Sequence, residues 1–144
     1  MREIELLAPA KDLQTGIEAI RHGADAVYIG ASRFGARAAA GNSVEDIRQL
    51  VDFAQPYGVK VYVTLNTILF DNELEEARQL ADELQAAGVD ALIVQDFGLI
   101  TNYEIRNTKS QPRNSDFGVR HLRLHASTQM DNRTAEKVEW LRGL

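Results

Sequence analysis

Gly23-Ala-Asp-Ala-Val-Tyr-Ile29 and Gly88-Val-Asp-Ala-Leu-Ile-Val94 are two statements of one phrase, and Gly58-Val-Lys-Val-Tyr-Val63 is a looser third. Each copy begins with a glycine, the residue suited to the left-handed conformation where a helix hands over to the next strand. Each then enters a short apolar run, such as Ala26 to Ile29, that is too short and too apolar to face water on either side and so suits a buried parallel strand. The copies recur about every thirty residues, the length a strand–helix–strand crossover requires.

The rest of the chain fills in this repeat. Ile4 to Ala8, closed by Pro9, reads as the first strand. Asp12 is placed to cap a helix with Leu13, Ile17 and Ile20 on one face, and His22 marks its terminus before Gly23. Ser43 and Asp46 have the spacing of a capping box ahead of Val44, Ile47, Val51 and Ala54, and Pro56 and Gly58 stop that helix. Lys60 to Leu65 alternates and reads as a third strand. Asp71 is expected to cap a helix whose Leu74, Ala77, Leu80, Ala81, Leu84 and Ala87 form a core-facing stripe. A short helix is expected from Gly98 to Ile105, followed by a polar loop. Arg123 to His125 reads as the fifth strand, Ala126 to Met130 as a turn, and Asn132 as the cap of a last helix with Ala135, Val138 and Leu141 inward. Gly143 stands where another strand would begin.

Five alternations of strand and helix leave a doubly wound sheet or a (β/α) barrel of eight units. The first strand-to-helix turn, Ala8-Pro9-Ala10-Lys11-Asp12, lacks the Gly-x-Gly-x-x-Gly of a dinucleotide binder. A flavodoxin-like sheet of five strands would be complete at 144 residues, whereas a barrel needs about 250. The expected class is therefore α/β, with parallel (β/α) units forming a TIM-barrel-like fold, incomplete at about five of eight units. Residues 1–144 would be the N-terminal part of that domain, with a polar insertion near 106–121.

Composition narrows the functions. A net charge of −5 argues against a protein that coats nucleic acid nonspecifically. Locally, Arg106 to Arg123 carries five Lys or Arg against one acid, Asp116, which could touch RNA phosphates or be a solvated insertion. With no cysteine, disulfides, thiolate catalysis and Cys-ligated metals are excluded from these residues. No apolar run is long enough for a membrane span, and no apolar signal segment follows the N-terminal charges, so a cytoplasmic protein without membrane contact is expected.

In a parallel barrel the functional groups gather on loops after the strands. Those positions hold Lys11, then Arg33, Arg37 and Asn42, then Asn66, then Gln95 and Asp96, and finally His125, Ser127, Thr128 and Gln129. Arg33 and Arg37 can clamp a phosphate or carboxylate, or one of them can pair with Asp96 to hold the loop. Asn66, Gln95 and Gln129 can read a base edge or an amide, or satisfy buried backbone groups. His125, the only histidine at a strand end, is the candidate for proton transfer or metal ligation, with a structural role as the alternative. Asp96 could supply an acid to His125 and Ser127 from the adjacent strand. Nothing suggests a nucleophile elbow or a zinc-ligand spacing. The expected site is thus His125 and Asp96 as catalytic groups, with Arg33, Arg37, Asn42, Asn66, Gln95, Ser127 and Gln129 binding substrate.

Several phrases occur in an order that resembles the U32 peptidase family: Glu5-Leu-Leu-Ala-Pro-Ala10, Gly23 to Gly30, Phe34-Gly-Ala-Arg37, Asn42, Val61-Tyr-Val-Thr-Leu-Asn66, Asp90 to Asp96 and Leu124-His-Ala-Ser-Thr-Gln129. The resemblance covers nearly the whole chain; the polar segment before Leu122 is longer than relatives usually have there. It implies a barrel-like N-terminal domain, with a cysteine-bearing signature and, in some members, an iron-sulfur cluster downstream of the matched region. It implies hydroxylation of bases in tRNA or ribosomal RNA, with related branches in quinone hydroxylation, or, by the older label, a collagenase-like peptidase. The partners implied are RNA or a small anionic molecule of the prephenate type, or a peptide. A barrel stopped after five strands would also expose edges that invite self-association and, alone, is expected to be inactive.

Overall fold

Val27, Ile29, Val61, Val63, Leu92 and Val94, alternate residues of three neighbouring strands, are each at most 1% exposed and form the middle of the molecule. The computed structural model describes residues 4–35, 41–102 and 122–142. Within them, β1 (Leu7–Ala10), β2 (Ala26–Gly30), β3 (Lys60–Leu65), β4 (Ala91–Val94) and β5 (Arg123–Ala126) build one sheet in the order 1-2-3-4-5. Every neighbouring pair is parallel. A doubly wound sheet reverses its strand order at a switch point. This one never reverses, so the flavodoxin-like alternative is excluded and the fold is TIM-barrel-like. Among the described residues β1 and β5 do not meet, and the sheet is not closed.

One face of the sheet is covered by α1 (Leu13–Arg21), α2 (Val44–Ala54) and α3 (Leu74–Ala86). Their buried Ile20, Ile47, Leu50, Ala77, Ala81 and Leu84 pack on the strand residues named above. Each fully buried Ile or Leu contributes about 1.5–3 kcal/mol, so this layer holds the scaffold. A further helix, α4, is described from 97 to 102 and buries Leu99 and Ile100 in the same core. The helix α5 (Ala135–Arg142) follows β5.

The repeated phrase has a physical reading. Gly23, Gly58 and Gly88 all adopt positive φ, +91°, +67° and +88°, as the handover from helix to strand demands. The aspartates of the two closest copies tie adjacent strands together at their starts: Asp25 accepts from the backbone N–H of Leu6 at 2.8 Å, and Asp90 from that of Val61 at 2.9 Å. In the third copy this position is Lys60, whose ammonium instead meets Glu5 at 2.5 Å.

Four local expectations are corrected. Pro9 does not close β1 but lies inside it, opposite Tyr28, which an edge strand tolerates because its outer N–H positions need no ladder partner. Asp71 does not cap α3: Leu74 opens the helix, and Glu73 folds back to accept the N–H of Phe70 at 2.9 Å. Asn132 does not cap α5 but donates to the Ser127 carbonyl, while Thr134 accepts from the N–H of Lys137 at 3.3 Å. On α5 only Leu141 packs on the core, Val138 being 47% exposed, because nothing lies beyond β5 among the described residues to cover that side. The helix expected from Gly98 to Ile105 begins one residue earlier, and 103–105, like the polar segment 106–121, lie outside the described residues.

Candidate functional site

The second face of the sheet is built differently. Ala26, Tyr62 and Ala91 are buried there with Tyr28 and Ile93 packed beside them, and Gly30, Thr64, Ile93 and His125 stand abreast on four strands. The glycine and the threonine leave space where branched aliphatic side chains would fill a barrel interior. The result is a cavity of about 560 Å³ with Tyr28, Tyr62, Ile93 and His125 beneath it. Lys11, Asn66, Ser127, Thr128 and Gln129 line it from the loops that follow β1, β3 and β5. It opens at the carboxyl ends of the strands, the place where barrels carry their sites.

The loops around the opening are tied down by residues expected to bind substrate and by Asp96, expected to be catalytic. Asn42 is 6% exposed and its amide donates to the carbonyls of Lys11 at 3.1 Å and Gly30 at 2.9 Å, fastening the loop after β2 to the turn after β1. Asp96 accepts the N–H of Leu99 at 2.9 Å and that of Leu69 at 3.2 Å, so it starts α4 and anchors the loop after β3. Arg33 pairs with Glu76 on α3, not with Asp96, and lies over the Phe34 ring. Phe34 itself holds φ +61°, a strained value for a bulky residue. Its carbonyl accepts both the N–H of Thr67 at 3.2 Å and the Thr67 hydroxyl at 3.1 Å. Ser127, 3% exposed, accepts the N–H of Gln129 at 3.2 Å, and its own N–H reaches the Val94 carbonyl at 2.8 Å. Gln95 is half-buried just past β4 and does not line the cavity. Arg37 lies outside the described residues.

The structure therefore gathers His125, Asn66, Ser127 and Gln129, with Lys11 and Thr128, around one space, and sets Arg33, Asn42, Gln95 and Asp96 outside it. It adds Tyr28 and Tyr62 to that lining and, behind Tyr62, the Glu5–Lys60 pair, all of which attention to strand ends passed over. The alternation of Lys60-Val-Tyr-Val-Thr-Leu65 carried the signal, since it puts Lys60, Tyr62 and Thr64 on one face.

Glu5 accepts the Tyr62 hydroxyl at 2.7 Å and the Lys60 ammonium at 2.5 Å. Lys60 first, then Tyr62, hold its carboxyl below the usual carboxylate range. Burial pushes the Tyr62 phenol up to about 12, with the Glu5 hydrogen bond adding to it. The Tyr62 ring meets the His125 ring edge-on, centroids 5.0 Å apart. Burial lowers the His125 pKa; Glu5 opposes the shift, while Arg123 and Lys60 add to it. The imidazole is thus held neutral at physiological pH, able both to donate and to accept. Among the described residues no group of three or more His, Cys, Asp or Glu could hold a metal ion, and no helix is long and apolar enough to cross a membrane.

A sheet of sequential parallel strands, helices on one face and a polar-mouthed cavity on the other, define a β/α barrel-type protein whose cavity sits where such folds carry their sites. Residues 11–144 match the model of peptidase family U32, and the chain belongs to that family. It is 51% identical over 138 residues to the 23S rRNA 5-hydroxycytidine C2501 synthase of Escherichia coli, covering 96% of this chain and 19% of that protein. It is 40% identical to the tRNA hydroxylation protein P1 of Bacillus subtilis over 64% of this chain and 22% of that protein. The Collagenase of Porphyromonas gingivalis is more distant, 28% identical over 97% of this chain and 31% of the relative. The chain thus spans between a fifth and a third of the length of these relatives. The solved structure of the U32 peptidase Mk0906 superposes with a TM-score of 0.64 at 15% identity, covering 95% of this chain and 55% of that one, a likeness of fold.

Proposed function

We propose that this chain serves the hydroxylation of a base in ribosomal or transfer RNA, its cavity receiving one nucleotide drawn out of the RNA stack. The observation that carries the reading is the 51% identity to a 23S rRNA hydroxycytidine synthase along 96% of the chain, a span that includes the residues around the cavity. The cavity supports it chemically. Tyr28 and Tyr62 offer aromatic surface to an unstacked base, the amides of Asn66 and Gln129 suit a base edge, and Lys11 suits a phosphate. In this reading His125 is the catalytic candidate that touches the base, while Asp96, Asn42 and Arg33 hold the loops that shape the opening. The same mouth suits a small anionic molecule of the prephenate type, and the edges of β1 and β5, which pair with no further strand among the described residues, offer backbone to a second copy.

An iron-sulfur cluster does not fit the donors of these residues, since the 144 residues contain no cysteine; no step is assigned to one. The peptidase reading rests on the Porphyromonas relative. It is the weaker of the two because both Asp96 oxygens already accept backbone N–H groups and are committed away from a His125–Ser127 pair.

The test is mass spectrometry of rRNA and tRNA from cells in which the gene is disrupted. One nucleoside should be lighter by one oxygen atom and regain it on complementation. An unchanged modification profile would overturn the reading.

A further inference from the structure

Barrel interiors are ordinarily packed with branched aliphatic side chains. Here the alternation of β3 and β5 puts Lys60, Tyr62, Arg123 and His125 on the interior face, and Glu5, from the segment before β1, reaches across to join them. Three contacts link the group in series: Lys60 to Glu5, Glu5 to the Tyr62 hydroxyl, and the Tyr62 ring to the His125 ring. The third copy of the repeated phrase departs from the other two at Lys60, the residue that starts this series. With an aspartate there, as at Asp25 and Asp90, a second carboxylate would face Glu5.

We propose that Glu5, Lys60 and Tyr62 form a positioning chain that fixes the His125 ring beneath the cavity and leaves its nitrogens to the bound substrate. The proposal rests on the cavity being the substrate site. Among the described residues neither ring nitrogen of His125 has a hydrogen-bond partner, so the ring is oriented by its edge-on contact with Tyr62. Tyr62 is in turn held by Glu5, and Glu5 by Lys60. The Glu5 contact fixes the tip of the Tyr62 side chain, and burial of the residue to 6% exposure holds the ring that meets His125 edge-on. The groups facing His125 are Glu5, Lys60 and Tyr62 across the interior and Arg123 on its own strand; β2 contributes Tyr28 and β4 the apolar Ile93. Glu5 is the one carboxylate among them. These three are positioning residues; His125 is the group that would touch the substrate.

The experiment is NMR of the imidazole resonances of the 144-residue chain across a pH titration, with His22→Gln and His121→Gln assigning the other two histidines. Wild-type His125 should titrate below the ordinary 6.5 of an imidazole. Glu5→Gln keeps the shape but removes the carboxylate that favours the imidazolium, so the His125 midpoint should fall further. Tyr62→Leu should abolish the ring-induced displacement of the His125 proton shifts, and Tyr62→Phe, which keeps the ring but loses the hydroxyl that Glu5 holds, should reduce it. A folded Glu5→Gln variant with an unchanged midpoint would overturn the proposal, as would wild-type His125 shifts in Tyr62→Phe. If Glu5→Gln does not fold, the Leu and Phe variants of Tyr62 decide alone. No readout involves RNA, so loss of the hydroxylation reading would leave these outcomes standing, and their failure would leave that reading to its own test.

Discussion

His125 is half-buried, and because burial disfavours its charge the folded state has a pH dependence with a definite sign. Burial lowers its pKa below the ordinary 6.5, so the unfolded chain takes up the proton first and stability falls as pH drops below that value. A second fall follows at lower pH. Asp12 and Asp46 are held below 3.8 by their helix-cap hydrogen bonds, and Glu5 below 4.5 by Lys60 and Tyr62. Their stabilisation is complete above those values and is lost as pH falls through the lower folded ones. Urea midpoints should therefore decline in two stages between pH 7 and 3, and His125→Asn should lack the first stage only. A single decline confined to the carboxylate range in the wild type would contradict the burial of His125. The sequence marked this histidine by its place at a strand end. It could not show Tyr62 against it, because that contact reaches from β3 over β4 to β5 and depends on register.

At the level of elements, the repeated phrase was the most legible part of the chain, because a helix-to-strand handover restricts backbone conformation so tightly that it leaves a glycine in the text. Gly23 stands at φ +91° with nothing within 4 Å of an added Cβ. Gly23→Ala should then cost only the conformational term, about 1–2 kcal/mol, read by urea denaturation. Gly88→Ala should cost more, since its Cβ would also meet Val51 at 3.2 Å. Equal costs would mean that the helix of Val51 yields freely. Helix starts were less legible. Ser43 and Asp46 do form the expected capping box, yet Asn132 gives way to Thr134 as the cap of α5, and α3 starts after Glu73 with no side-chain cap at all. Several polar residues near a helix start can each offer an oxygen, and the course of the incoming loop decides which one is used. Pro9 misled for a related reason: it ends a central strand but is tolerated on an edge, and edge or centre is a property of the whole sheet.

On the scale of the molecule, strand alternation limited the fold to two classes, and the strand order selected one of them. The U32 phrases, scattered from Glu5 to Gln129, come together as three features: the handover glycines and their aspartates, the ties between loops, and the cavity. Rim positions were legible because barrel topology fixes where loops emerge. Which rim residues turn inward was not, so Asn42 was read as a substrate ligand and Asp96 as a catalytic group although their side chains satisfy backbone groups. The central claim is that RNA meets this chain at the cavity on the interior face. The most direct measurement is NMR mapping of a short cytidine-bearing single-stranded oligoribonucleotide on the isotope-labelled chain. The account predicts perturbations concentrated at Asn66, His125, Ser127 and Gln129 and weakened in His125→Ala. Perturbations confined to the basic 106–123 segment, or to the helical face, would contradict it.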